Sequence, residues 1–202
     1  MRSSHQAVAA LAFMMALYTA PRCDGQTLVF EDGFECGDTC GWSWPNPEPA
    51  VVVGITCAHN ATRADVNPPA SPPILPLAWN NDLAAVAQAW ADNCVWYHSN
   101  NGYGENMAAF GGWAGDPQTV IEMWAGESVC YDYGSNTCDP YCQPDVTTCG
   151  HYTQVVWRSS SRLGCGVRTC TTGSPWGSSY PTWTVWVCNY DPPGNIGSQR
   201  PY

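Results

Sequence analysis

Arg162-Leu-Gly-Cys-Gly-Val-Arg-Thr-Cys170 and Thr182-Trp-Thr-Val-Trp-Val-Cys-Asn-Tyr190 decide the fold class. The second segment alternates as a strand does. The Gly-, Ser- and Pro-rich stretch 171–181 between the two makes the first a partner strand across a loop. Upstream the period changes. From Asn81 to Tyr97, Leu83, Ala87, Trp90, Cys94 and Tyr97 recur at spacings of three and four, which predicts a helix. His98, four residues after Cys94, falls on its inward face. A second helix begins at Asp116 as N-cap with Pro117 in its first turn, and turns Val120, Met123 and Trp124 inward. Glu127 is three residues past Trp124 and four past Met123, on that same apolar face, where an unpaired charge is expensive. Helices mixed with a small antiparallel sheet give an α+β class.

The chain has 202 residues, 45% of them hydrophobic and 12% charged, enough for one well-packed domain and too apolar for a disordered chain. Its seven cationic residues are all arginine, against seventeen acids, for a net charge of −10. That balance excludes nucleic-acid binding, which needs basic clusters to neutralise phosphates. Eleven Trp and ten Tyr predict an aromatic interior and a surface suited to apolar or ring-shaped partners.

The first 25 residues read as a signal peptide: Arg2 supplies the positive region and Ala7–Tyr18 an apolar run too short to cross a bilayer. No later run is long enough to be a transmembrane segment. Pro21 disfavours cleavage after Thr19-Ala20, so cleavage is expected near Gly25. Residues 26–50 form an extension ending in a linker stiffened by Pro45, Pro47 and Pro49. Its phrase Asp32-Gly-Phe-Glu-Cys-Gly-Asp-Thr39 is similar to a leader found in some exported bacterial proteins, which would imply periplasmic transit. The main domain is expected over 51–202. Eleven cysteines remain after the leader, and export makes disulfides the expected state, with one thiol left over. Asn60-Ala-Thr62 is a glycosylation sequon, whose occupancy would reveal a eukaryotic host.

Common catalytic motifs are absent. There is no His-Glu-x-x-His, no Gly-x-Ser-x-Gly and no phosphate-cradling loop followed by Lys. Four ionisable residues instead stand in apolar or Gly-rich surroundings: His98, Glu105 in Gly104-Glu-Asn-Met-Ala108, Glu127, and His151 in Gly150-His-Tyr-Thr-Gln154.

Gly150-His-Tyr-Thr-Gln-Val-Val-Trp-Arg-Ser-Ser160 and Val185-Trp-Val-Cys-Asn-Tyr-Asp-Pro-Pro-Gly-Asn-Ile196 resemble the two signature motifs of the CAP superfamily, which includes cysteine-rich secretory, venom-antigen and pathogenesis-related proteins. Trp90-Ala-Asp-Asn-Cys-Val-Trp-Tyr-His-Ser99 and Gly104–Ala108 extend the likeness, which is strongest to the plant pathogenesis-related branch. The resemblance implies a three-layer α-β-α sandwich stabilised by disulfides, secretion, and a central cleft whose two His and two Glu fall on His98, Glu105, Glu127 and His151. It also implies that Cys94 pairs with Cys165 and Cys170 with Cys188; Cys149 then takes a partner among Cys130, Cys138 and Cys142, with Cys138 or Cys142 expected.

Two neutral imidazoles, His98 and His151, suit a divalent metal such as Zn²⁺, with the carboxylates completing the shell or holding water. The competing reading is a hydrogen-bonded network that only ties helices to the sheet. The resemblance supports a binding module for sterol- or fatty-acid-like ligands first, then a metal-dependent, protease-like hydrolase, then an extracellular protein that presents loops such as 171–181 to a protein target. No catalytic residue is assigned. Intact-mass analysis of exported protein should show loss of about 25 residues and about ten hydrogens. A reduced, full-length chain would contradict both expectations.

Overall fold

The computed structural model describes residues 47–142 and 148–202, preceded by a two-residue antiparallel pair, β1 (Leu28–Val29) with β2 (Glu35–Cys36). The expected leader, Cys23, Cys40 and Pro45 lie outside the described residues. The main elements follow as α1 (Ile55–Ala64), β3 (Ala78–Trp79), α2 (Asn81–Ala91), β4 (Gly104–Gly111) and α3 (Pro117–Gly126). After α3 come a 3-10 turn at Glu127–Cys130, a small hairpin of β5 (Tyr131–Asp132) and β6 (Thr137–Cys138), α4 (Gly150–Val155), β7 (Arg162–Cys170) and β8 (Trp183–Asp191).

The central sheet has the order β3-β7-β8-β4, with β3 parallel to β7 and the other pairs antiparallel. The result is a three-layer α-β-α sandwich. On one face Trp186, Cys188 and Tyr190 of β8 pack against Ile55 of α1, Trp124 of α3 and Val155 of α4. On the other, Trp183, Val185 and Val187 pack against Ala87 and Ala91 of α2. α2 lies directly on β7 because that face carries glycine: a Cβ on Gly166 would come within 2.4 Å of Gln88 Cα.

The strand pair appears where the alternation placed it, and Asp116 caps α3 through Thr119 N at 2.8 Å with Pro117 in the first turn. α2, by contrast, stops at Ala91, six residues short of Tyr97. Its last amides turn to 3-10 spacing (Asn93 N to Trp90 O, Cys94 N to Ala91 O), and Cys94 takes a left-handed φ of 55°. His98 therefore sits on an irregular segment rather than on a helix face. Met123 is half exposed, because Val120, Ile121 and Trp124 fill the inward stripe of α3.

The disulfides are Cys94–Cys170, Cys130–Cys142, Cys138–Cys149 and Cys165–Cys188, and Cys57 is disulfide-bonded as well. The first and last correct the expected pairing of Cys94 with Cys165 and Cys170 with Cys188. Side-chain parity is the reason: Cys170 faces the α2 layer, where Cys94 lies, whereas Cys165 faces the other layer beside Cys188, its direct partner across the ladder at a Cα separation of 4.1 Å. Cys149 takes Cys138 of the three candidates, and the other two, Cys130 and Cys142, pair with each other.

Two polar side chains of α1 are fully buried. Arg63 donates to the carbonyls of Leu75, Val155, Trp157 and Ser160 at 2.7–3.1 Å, and burial draws it down to about 10. His59 Nδ1 donates to Ile55 O, so Nε2 accepts from Tyr190 Oη, both at 2.7 Å. Glu48, at the end of the Pro-rich linker, is buried and accepts from Gly54 N and Thr56 N at the start of α1. Asn60 spends its amide on Leu77, accepting from N at 2.7 Å and donating to O at 3.0 Å.

Burial lowers His59 to about 3, against the opposing pull of the Ile55 carbonyl and with help from the Arg63 charge. The unfolded chain binds this proton below pH ~6.5 and the folded chain does not until about pH 3. The His59 contribution is thus complete above pH ~6.5 and is lost on acidification by up to ~1.4 kcal/mol per pH unit. Urea unfolding at pH 7, 5.5 and 4.5 should show this slope, and His59→Gln should flatten it.

Candidate functional site

β4 is an edge strand, and two consecutive residues at its start serve opposite layers. Glu105 shares its face with Met107, toward α2; Asn106 points the other way, toward α4. On the α2 side, Glu105 Oε1 lies 2.7 Å from His98 Nδ1 and 3.0 Å from Ser99 N, and Oε2 accepts from Ser99 Oγ at 2.5 Å. On the other side, Glu127 Oε1 lies 2.6 Å from His151 Nδ1, and Oε2 accepts from His151 N at 2.9 Å and Tyr152 N at 3.0 Å. Glu127 therefore supplies acceptors to the first turn of α4, whose amides have no partner within the helix. Two disulfides hold that contact: Cys130 ends the turn that Glu127 opens, and Cys149, bonded to Cys138, immediately precedes α4.

Carboxylates only accept, so in the neutral imidazoles Nδ1 carries the proton and Nε2 the lone pair. The His98 side chain is 64% exposed and that of His151 33%, while Glu105 and Glu127 are 6% and 11% exposed. Both oxygens of each carboxylate are occupied by protein donors. The four residues thus form two His–Glu dyads, in which each glutamate orients an imidazole. Among the described residues, no three His, Cys, Asp or Glu side chains are grouped to hold a metal ion.

The supporting groups escaped the sequence reading. Trp124 stacks on His151 at 6.0 Å and donates from Nε1 to Met107 O of β4. Asn106 Nδ2 donates to His151 O at 3.0 Å and to Tyr190 Oη at 3.1 Å, joining the second dyad to buried His59. Asn189, opposite Glu105 on the ladder, is fully buried with its Nδ2 unpaired. Only the alternation of β4 could have signalled Asn106, and Gly104-Glu-Asn-Met-Ala-Ala-Phe-Gly111 is rich in good helix formers.

Residues 57–190, which include both dyads, match the family model described as CAP, cysteine-rich secretory protein family. The chain belongs to this family. It is 44% identical over 149 residues to pathogenesis-related protein 1B of Nicotiana tabacum, covering 72% of this chain and 77% of that protein. The venom allergen-like protein 4 of Schistosoma mansoni superposes with a TM-score of 0.57 at 26% identity, covering 76% of this chain and 94% of the other. NaASP2, solved with Zn²⁺, shares the fold with a TM-score of 0.58 at 22% identity, over 79% of this chain and 89% of that one. This CAP domain is of the pathogenesis-related type, and no helix among its described residues is long and apolar enough to cross a membrane.

Loss of the two glutamates should not be equivalent. Glu127→Ala strands two helix amides and the partly buried His151 ring, whereas Glu105→Ala strands one amide, one hydroxyl and an imidazole that water already reaches. At ~1–3 kcal/mol for each unsatisfied buried group, Glu127→Ala should be the more destabilising in urea unfolding. Glu127→Gln, which keeps one acceptor, should fall between it and the wild type.

Proposed function

We propose that the protein is exported and acts outside the cell as a binding module, in defence or another extracellular interaction, and that His98 and His151, which flank the start of edge strand β4 from its two faces, hold a divalent cation such as Zn²⁺ through Nε2 across that edge. The observation that carries this reading is the pinning of both Nδ1 atoms by carboxylates, the arrangement that fixes tautomer and orientation in ligating histidines. The fold shared with a protein solved with Zn²⁺ is consistent with it. The carboxylates fit as orienting groups, since their oxygens are already committed. A catalytic zinc usually takes three protein ligands and keeps one open position, so two imidazoles suit cation binding better than a metal-dependent hydrolase.

A sterol- or fatty-acid-like ligand is a second reading, supported by the exposed side chains of Trp96, Tyr97 and Tyr103, which flank His98 and Glu105 along the chain. Apolar affinity comes from buried area, at ~25 cal/mol per Å², and does not need the imidazoles.

Calorimetric titration with Zn²⁺ tests the proposal. Binding should be present at pH 7.5 and vanish in His98→Ala/His151→Ala. Sterol or fatty-acid binding should survive in that variant. Equal Zn²⁺ heats from both proteins would place the ion elsewhere and leave the dyads a structural network, and zinc-dependent turnover would favour the hydrolase.

A further inference from the structure

The dyads lie at the end of the sheet where Gly104 pairs with Tyr190; the opposite end, where Gly111 pairs with Trp183, carries a different surface. Trp113, Trp176 and Tyr180 stand there 54%, 42% and 48% exposed. Glu105 and Gly111 are six residues apart on β4, so about 20 Å separates the two ends at ~3.3 Å per residue.

These rings are held in place. Trp186 Nε1 donates to Ala114 O and Trp183 Nε1 to Thr172 O, both at 2.7 Å, so an indole of β8 anchors each loop from beneath. Gly112 N donates to Thr182 O at 3.0 Å, tying the loops together, and Cys94–Cys170 closes the base of the longer one. Tyr180 lies across Gly111, where a Cβ would come within 2.5 Å of its ring. Trp176 packs edge-on to Tyr180 at 5.8 Å, and Trp113 edge-on to Phe110 at 4.7 Å. A partner would therefore meet aromatic faces whose ordering is largely complete before binding.

The chemistry around the rings narrows the partner. Residues 109–115 and 169–185 contain no Asp, Glu, Lys or Arg, in a chain of net charge −10. The longer loop exposes hydroxyls, from Thr171, Thr172, Ser178, Ser179 and Thr182. Anionic polymers and anionic membrane surfaces call for cations that are absent here. Insertion into a bilayer would bury the hydroxyls among acyl chains without partners. A neutral sugar chain suits all three features, offering flat C–H faces to the rings, hydroxyls to the hydroxyls, and no charge.

We infer that the surface formed by loops 112–115 and 171–182 binds a neutral polysaccharide, with pyranose rings stacked on Trp113 and Trp176 and sugar hydroxyls bonded to the Ser and Thr side chains. Co-sedimentation of the full chain with insoluble cellulose, β-1,3-glucan and chitin tests this, with zwitterionic phosphatidylcholine vesicles alongside. The wild type should be retained by at least one of the glycans and not by vesicles. Trp113→Ala/Trp176→Ala should lose at least tenfold in affinity with unchanged thermal stability, since both side chains are half exposed, and Trp113→Phe/Trp176→Phe should keep most of the binding. His98→Ala/His151→Ala should bind like the wild type. Failure of all three glycans to retain the protein, undiminished binding by the Trp-to-Ala pair, loss of binding in the His pair, or vesicle binding in place of glycan binding would each overturn the inference.

Discussion

Every residue of β8 from Trp183 to Tyr190 is out of water on both sides, and the two helical layers exist because that strand has two faces to cover. Trp186, Cys188 and Tyr190 require one set of helices and Trp183, Val185 and Val187 another. Burying a large aromatic side chain contributes several kcal/mol, so displacing any layer would expose more apolar surface than local structure can recover. The indoles also have polar edges. Trp183 and Trp186 spend theirs on loop carbonyls, so the strand that organises the core fixes the loops at its far end too.

Near the dyad end the same strand ends its buried run in Tyr190, whose hydroxyl stands between His59 of α1 and Asn106 of β4. Asn106 reaches His151, and Glu127 reaches both His151 and the amides that open α4. A continuous path of hydrogen bonds therefore runs from the deepest part of the core to a solvent-accessible imidazole. Burial makes each member sensitive to loss of a partner, and the neutral state of His59 belongs to this arrangement. Arg63 plays a parallel part on the same helix, drawing four carbonyls from separate segments onto one cation.

The two dyads differ in how they are built. Glu127 and His151 are confined by two disulfides, a helix start and a stacked indole. His98 and Glu105 depend on the irregular turn after α2 and on Ser99, with the ring largely in solvent. A ligand held by both imidazoles would thus have one rigid and one compliant partner, while the aromatic loops lie about 20 Å away.

The sequence by itself determined the β7–β8 pair, the capped start of α3, the disulfide-rich class and the four dyad residues, because alternation, Asp-Pro capping, cysteine content and local motifs are written in adjacent residues. It misjudged the end of α2, since helical spacing continues through Trp90, Cys94 and Tyr97 although the backbone turns at Ala91, and a left-handed Cys94 has no signature in composition. It also crossed the disulfides. Which cysteine meets which is settled by the layer each side chain faces once β7 and β8 are in register. Only the tertiary structure showed that both carboxylates are consumed in orienting imidazoles, that Asn60 is committed to Leu77, and that Trp113 and Tyr180 come to the same end of the sheet. Those contacts join residues up to about seventy positions apart, and what brings them together is the burial of β8, which no local pattern at either residue records.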